Sequence, residues 1–342
     1  MKSKVYRYDW IVTPFVERIS NILPLPYPIA WLLISEILFL FHFLVLFFFA
    51  DKKYITFPYI AIDAIIPILL TLMPTAIISF SKRLEDFTDA LKTFIDWPEE
   101  KIVEWHAKLI SNAFRTKQMV RYGIILGIIV LIMCRGIKSL QTNSLPADIS
   151  YLIFIFLLAF LGGATLYSML GIAKIVNALG DIKELKVSIY QHPTASIKAA
   201  GKLLFGISSY AAFIYIIGLI YVFLKGIMGG FTVTVFFVGF GLFVIGYFIF
   251  PQIKIHDLMS RYKHRRIRSF SKHLDLALEK VINEPTSANL AHVRELFQIQ
   301  KELNGMSEWS FDTKFILTLI SVIIIPILIG LAQIYIQCFL KR

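Results

Sequence analysis

The sequence predicts an all-α, polytopic membrane protein with about seven transmembrane helices and with cytoplasmic helical hairpins. Hydrophobic residues make up 57% of the 342-residue chain and charged residues 17%, whereas soluble domains are about 45–50% apolar and about 25% charged. Several apolar runs reach the roughly 20 residues that a helix needs to cross a bilayer. A soluble fold would need a very large core to bury so many of them.

Residues 1–28 predict a cytoplasmic N-terminal segment that lies at the membrane interface. Apolar and aromatic residues between Trp10 and Leu23 fit one face of a short helix that starts near Pro14. Tryptophan and tyrosine favour the headgroup level, so an interfacial helix is favoured over a disordered tail. No small-residue cleavage pattern follows the basic start, and the first apolar run is therefore interpreted as a retained span.

Residues 29–80 predict the first two transmembrane helices, at 29–50 and 57–80. Pro67 and Pro74 lie inside the second of these spans. A proline inside a helix removes a backbone hydrogen bond, so a kink or a locally unwound turn is expected there.

Residues 81–121 predict a cytoplasmic helical hairpin. Apolar residues recur three and four positions apart on both sides of a break at 96–100, which is the spacing of one helical face. Pro98 followed by two glutamates is typical of the start of a new helix.

Residues 122–172 predict the third and fourth spans, residues 203–250 predict the fifth and sixth, and 173–202 form a cytoplasmic segment between the two pairs. The limits of these spans are 122–137, 149–172, 203–224 and 231–250. The fourth span carries Gly162-Gly163, a pair that favours close helix packing over a role in permeation.

The stretch 251–314 decides the orientation of the chain. It holds 11 of the 35 Lys and Arg residues, and loops rich in these residues stay on the cytoplasmic side. Its apolar residues form two helical faces on either side of Pro285, which predicts a basic cytoplasmic helical hairpin. Residues 315–342 then supply the seventh transmembrane helix, at 315–340, and an outer C-terminus.

The distribution of positive charge supports this topology. The segments predicted to be cytoplasmic hold 28 Lys and Arg residues and the rest of the chain holds 7, which places the N-terminus in the cytoplasm and the C-terminus outside a cell membrane. A net charge of +12 can indicate a nucleic-acid partner. Here the excess of Lys and Arg in the predicted cytoplasmic segments explains the net charge. The predicted partners are therefore the lipid bilayer and anionic lipid headgroups, and no nucleic acid.

Three ionisable residues inside predicted spans are candidates for an ion or proton pathway, namely Glu36, His42 and Asp63. A charge in the bilayer costs about 2.5–3.5 kcal/mol, so such side chains usually face the bundle interior or water. Each of the three also has an explanation without a functional role. Glu36 and Asp63 would lie close to the membrane interfaces, and His42 would be a neutral, hydrogen-bonded ring within the bundle. Gln333 and Gln337, one turn apart in the last span, are further pathway candidates.

The densest positive charge of the chain lies between residues 261 and 272. Its candidates for binding lipid headgroups or another anion are Arg261, Lys263, Arg265, Arg266, Arg268 and Lys272. The alternative, which the sequence favours, is a solvated face that only sets the topology.

The sequence predicts no enzyme, no cofactor and no metal site. It contains no P-loop, GxSxG, HExxH or Rossmann motif, and no two histidines stand three or four residues apart as zinc ligands on a helix do. Cys134 and Cys338 belong to no CxxC motif. Both fall near the outer ends of their spans, where two free thiols are favoured over a disulfide.

The leading functional hypothesis is an ion channel or pore, formed by a homo-oligomer and gated through its cytoplasmic helices. Two predicted hairpins join directly to proline-containing spans, and few polar residues are available for a substrate site. The first alternative is a proton- or cation-coupled secondary transporter that uses Glu36, His42 or Asp63. The second is a membrane scaffold or signalling protein whose basic hairpins recruit a cytosolic partner or anionic lipid.

Overall fold

The protein is helical throughout the part of the chain that the structure describes. The structure is a computed structural model, and it describes residues 14–92, 95–134, 144–182, 194–225 and 231–305. The elements in chain order are α1 (Phe15–Ser20), α2 (Tyr27–Phe49), a short 3-10 helix (Lys52–Ile55), α3 (Phe57–Asp63), α4 (Ile65–Lys92), α5 (Glu99–Ala113), α6 (Thr116–Cys134), α7 (Leu145–Gly180), α8 (Thr194–Leu224), α9 (Phe231–Asn283) and α10 (Ser287–Asn304).

Five helical stretches among the described residues are long and apolar enough to cross a membrane. They are Tyr27–Phe49, Phe57–Asp89, Glu99–Cys134, Leu145–Gly180 and Gly206–Leu224. The all-helical class is confirmed, and these stretches support a multi-pass membrane protein. Among the residues of α9 whose side chains the structure describes, the shorter stretch Val238–Tyr247 is also apolar. The seventh predicted span lies outside the described residues, so the count of seven stays a prediction.

Prolines set the starts of several helices. Pro28, Pro58 and Pro146 lie in the first two positions of α2, α3 and α7, where a missing backbone N–H costs no helical hydrogen bond. Pro98 is the N-cap of α5, and two glutamates follow it in the first turn. Acidic side chains there complement the positive end of the helix dipole.

Helices α3 and α4 together form the second apolar stretch, and a break at Ala64 separates them. Pro67 explains where the break lies, because its ring excludes the carbonyl of Asp63 four residues earlier and offers it no N–H. The distortion expected in this span is therefore present, just before Pro67. Pro74 lies inside α4, which continues through it. The break leaves Asp63 at the end of α3, with its side chain buried.

Helix α7 occupies the centre of the bundle, where it packs against α2, α4, α5, α6 and α9. Helix α8 packs instead on α4 and α9 and hardly touches α6 or α7. This arrangement leaves a gap between α8 and the α6–α7 pair. At one end of the gap, Tyr151 of α7 and Tyr221 of α8 meet through their hydroxyl groups, 3.3 Å apart.

The main hydrophobic core of the described residues joins the apolar stretches to the helical segments that continue beyond them. It includes Ile77 and Leu84 of α4, Ile110 of α5, Val176 of α7 and Leu258 of α9. All of these except Ile77 lie in stretches that the sequence predicts to be cytoplasmic. Because α4, α7 and α9 run unbroken through this core and close-packed interiors transmit strain, a displacement of these extensions would move the spans as well.

Helix α10 folds back on α9. Phe270 and Leu274 of α9 form a small buried cluster with Leu303 of α10. The Thr286 hydroxyl accepts a hydrogen bond from the backbone N–H of Asn289 at 3.2 Å, an interaction that caps the first turn of α10.

Candidate functional site

The candidate site is built around Asp63, the last residue of α3. Its Oδ1 lies 2.7 Å from Nζ of Lys225, which directly follows α8, and the two side chains are only 5% and 6% exposed. Because each charge loses its water on burial, the attraction between the two often does not exceed the cost of dehydrating them. The pair is therefore a poor source of stability in its own right.

Two tyrosine hydroxyls extend this ion pair into a network. Tyr151 of α7 donates a hydrogen bond to Oδ1 of Asp63 at 2.5 Å, and the Tyr221 hydroxyl lies 3.3 Å from that of Tyr151. The ammonium of Lys225 also lies 5.2 Å from the ring centroid of Tyr59 and 5.1 Å from that of Tyr151. Aromatic faces attract a cation at such distances, so the network holds both charges without contact to bulk water.

His42 of α2 joins the network through the ring of Tyr151. The two ring centroids are 5.0 Å apart, in an edge-on arrangement. Nδ1 of His42 lies 2.7 Å from Oγ of Ser150, while Nε2 is buried and has no hydrogen-bond partner among the described residues. Buried polar atoms are nearly always paired. The unpartnered Nε2 of His42 is therefore an exception, and it belongs to a ring that packs against Tyr151 of the network.

The structure brings together only two of the three ionisable candidates in the first two spans. Asp63 and His42 both contact Tyr151. Glu36, also on α2, is exposed and lies outside this network of described residues. Gln333 and Gln337 lie outside the described residues, and their role stays a prediction.

Sequence reasoning missed Lys225, Tyr151, Tyr221 and Ser150. In the predicted topology Lys225 is one of the seven Lys and Arg residues outside the cytoplasmic segments. A usable signal was present: the predicted topology puts Asp63, Tyr151 and Lys225 near the same outer end of their spans. A buried carboxylate such as Asp63 needs a cation as its partner. Lys225, which follows the fifth span at the same end, is the nearest candidate in the predicted topology.

An apolar cavity of about 260 Å³ occupies the gap between α8 and the α6–α7 pair. Its walls include Met73, Leu126, Leu158, Met169, Ile214 and Tyr221. Tyr221 belongs to both features, because its ring lines the cavity and its hydroxyl is in the ion-pair network. Cys134 lines the cavity and forms no disulfide with any residue that the structure describes. Cys338 lies outside the described residues, so whether the two pair stays open.

Two cations of the basic run on α9 are part of the folded core. Arg261 donates a hydrogen bond to the carbonyl of Gly180 at the end of α7. Arg266 is 7% exposed and donates to the hydroxyl of Tyr262. Burial raises the pKa of that hydroxyl, and the neighbouring Arg266 opposes the rise. Lys263 is half-buried.

The remaining cations of the run, Arg265, Arg268 and Lys272, are exposed along one face of α9. Arg265 lies about 22 Å along the helix from Phe250, the end of the predicted sixth span, at a rise of 1.5 Å per residue. The headgroup layer adds only about 5–8 Å on each side of the hydrocarbon. This distance favours a solvated face over contact with the headgroups of the surrounding membrane.

Arg266→Ala is expected to destabilise the protein by about 1–3 kcal/mol, because it leaves buried polar groups without their partner. Arg268→Ala, on the exposed face two residues away, is the matched control and should change stability by no more than about 0.5 kcal/mol. Thermal unfolding of the two purified variants measures the difference. Equal melting temperatures would contradict a structural role for Arg266.

The site combines a carboxylate, an ammonium group, two phenols and an imidazole at the junction of α2, α3, α7 and α8. Such a set can hold a proton or a small cation at Asp63 and exchange it against Lys225. Among the described residues, no cluster of three or more His, Cys, Asp or Glu is placed to hold a metal ion. No protein-family model, curated protein or solved structure matches this chain.

Proposed function

We propose that the protein is a proton- or cation-coupled secondary transporter in which Asp63 is the coupling group. The observation that carries this proposal is the buried Asp63–Lys225 ion pair, set between α3, α7 and α8. Ionisable groups buried inside a membrane bundle are costly and typically mark ion or proton pathways. Since a buried pair contributes little stability, its presence favours a functional role.

Competition for the Asp63 carboxylate provides the coupling. A proton or a small cation that binds Asp63 displaces Lys225, and Lys225 is attached directly to the end of α8. Asp63 itself lies beside the break at Ala64, where the chain can bend with little loss of helical hydrogen bonding. Ion binding would thus change how α3 and α8 are held together, which is the kind of local switch that alternating access requires.

The walls of the cavity favour a transporter over the ion channel that leads the sequence-based hypotheses. None of the described residues that line the cavity carries a formal charge, whereas ion pathways use carbonyl or charged rings to replace hydration. A scaffold role explains neither the cavity nor the buried pair. The shared core of the spans and their extensions remains compatible with regulation from the cytoplasmic side.

The proposal retains the predicted topology, with seven spans, the N-terminus in the cytoplasm, the C-terminus outside and α9–α10 as the basic cytoplasmic hairpin. The uneven distribution of Lys and Arg supports it. Homo-oligomerisation and the binding of anionic lipid stay predictions from the sequence.

Rapid solution exchange on proteoliposomes adsorbed to a solid support tests the proposal without a known substrate. A jump in proton, Na⁺ or K⁺ concentration should give a transient charge displacement that saturates with the concentration of the coupling ion. Asp63→Asn should reduce the signal to that of protein-free liposomes, because the ion has lost its site. Glu36→Gln removes an exposed carboxylate and should leave the signal unchanged.

Three other outcomes of the charge-displacement measurement would overturn the proposal. A sustained current that reverses at the equilibrium potential of the ion would show a channel. No displacement with any of the three ions would leave the scaffold hypothesis in place. A displacement that survives in Asp63→Asn would remove Asp63 from the pathway.

A further inference from the structure

We infer that the apolar cavity binds a hydrocarbon chain of an amphipathic anion whose head pairs with Lys225. This inference rests on the proposed function and names the class of substrate for the same site. The shared chemistry is an alkyl or acyl chain attached to a carboxylate or a phosphate. A free fatty acid and a membrane lipid are the two possible sources of such a group.

The size and lining of the cavity favour a hydrocarbon occupant. Its volume is about 260 Å³, larger than the roughly 150 Å³ engineered cavity that stays dry and takes up benzene. The walls are almost entirely aliphatic, thioether and aromatic, as in Leu158, Met73 and Tyr215. A water molecule needs two to four polar partners, and this lining offers few. An alkyl chain would restore the dispersion contacts that the facing walls lack.

The position of the cavity supplies a site for the charged head. Tyr221 forms part of its wall, and the hydroxyl of Tyr221 meets that of Tyr151, which in turn binds Asp63. A chain lying in the cavity can therefore place its head towards Lys225. The cation already sits in a low-dielectric site, where one anion can replace another as its partner.

Charge balance links this binding to the coupling ion. The site holds one carboxylate and one ammonium group, so its formal charge is zero. When the anionic head takes the place of Asp63 beside Lys225, a proton or a monovalent cation on Asp63 keeps the total at zero. Entry of the anion with one cation thus avoids an uncompensated buried charge, which is strongly unfavourable.

Gly162 offers a way to fill the cavity without disturbing the backbone. A Cβ at this position would lie 3.8 Å from Leu126 Cδ2 and 3.8 Å from Met73 Cε, so the first added atom meets ordinary contacts and a longer side chain extends among the lining residues. Gly239 is the matched control. It lies on α9, is exposed, and a Cβ there meets nothing within 4 Å.

Photo-crosslinking of the full-length protein in nanodiscs tests the inference. The probes are a fatty acid and a phospholipid, each with a diazirine in its chain, and labelled peptides are identified by mass spectrometry. In the wild type we expect labelling of α6, α7 and α8 that saturates and is competed by unlabelled fatty acid. Gly162→Leu should lose this saturable labelling, whereas Gly239→Leu should retain it.

A second variant tests the role of the head. Asp63→Asn/Lys225→Met removes both charges and keeps the site neutral, so the protein avoids an unpaired charge but has no cation for the anion. Saturable labelling by the fatty-acid probe should be lost in this variant. Retention at the wild-type level would contradict the placement of the head at Lys225.

The outcomes separate the inference from the proposed function. Saturable labelling by the fatty acid alone identifies a free amphipathic anion, and saturable labelling by the phospholipid identifies a bilayer lipid. No saturable labelling with either probe, or equal labelling in Gly162→Leu, overturns the inference. An ion-induced charge displacement that persists in such a case would leave the coupling role of Asp63 standing with a different substrate.

Discussion

Asp63→Asn is expected to destabilise the protein by about 3–5 kcal/mol, because it leaves the charge of Lys225 buried without its partner. The side chain of Lys225 is 6% exposed, so water cannot replace the lost carboxylate without local opening. Lys225→Met should also destabilise the protein, because it leaves the carboxylate of Asp63 buried without its cation. Thermal unfolding of the purified variants in one detergent measures both effects.

The double variant separates the structural role of the pair from its functional role. Asp63→Asn/Lys225→Met removes both charges together, and a buried pair replaced by neutral groups of similar volume is often as stable as the original. Its melting temperature should therefore return close to that of the wild type. Glu36→Gln, at an exposed position, should change stability by no more than about 0.5 kcal/mol. If the double variant shows only the sum of the two single losses, the two residues are not energetically coupled.

Gly163→Ala is expected to destabilise the packing of α6 on α7 by roughly 1–3 kcal/mol or more. A Cβ at Gly163 would lie 2.5 Å from the carbonyl oxygen of Tyr122 and 2.8 Å from Cα of Gly123. Both are backbone atoms, so the clash is relieved only if the two helices separate. The contact lies in the α6–α7 pair, which has the most extensive packing among the described helices. In Gly163→Ala we therefore expect a lower melting temperature than in the wild type. The fraction of protein that stays monodisperse after detergent extraction should also be lower.

The adjacent residue provides the control for this prediction. Gly162→Ala meets its nearest neighbours at 3.8 Å, an ordinary contact distance. Alanine is also favoured over glycine inside a helix by about 0.8–1.0 kcal/mol, so the stability of this variant should be unchanged or higher. Equal destabilisation by the two substitutions would contradict the close approach of α6 and α7 at Gly163.

Local patterns in the sequence predicted a useful part of this structure. Gly162-Gly163 indicated close packing, and the structure shows such packing at Gly163. Neighbouring residues on a helix point about 100° apart, and the glycine pattern alone does not tell which residue meets the partner helix. Gly162 lines the cavity instead. In the same way, Pro67 predicted a distortion, and the rule for proline and the carbonyl four residues earlier places it at Ala64.

The partners of Asp63 depend on contacts that no local pattern contains. Asp63 stood out because a carboxylate within an apolar run is costly, but Lys225 lies far along the chain and follows a different span. Charge counting treated Lys225 only as a marker of topology. The different exposure of Glu36 and His42 on α2 also depends on which face the neighbouring helices cover, and an almost uniformly apolar helix gives little periodicity to reveal that face.

The charge displacement of the Asp63→Asn/Lys225→Met protein tests the central claim most directly. In that variant the destabilising lone charge is absent, so a loss of signal cannot be attributed to unfolding once its melting temperature matches the wild type. The coupling role of Asp63 predicts a stable protein that gives no saturable charge displacement after a proton, Na⁺ or K⁺ jump. A stable double variant that responds like the wild type would contradict it.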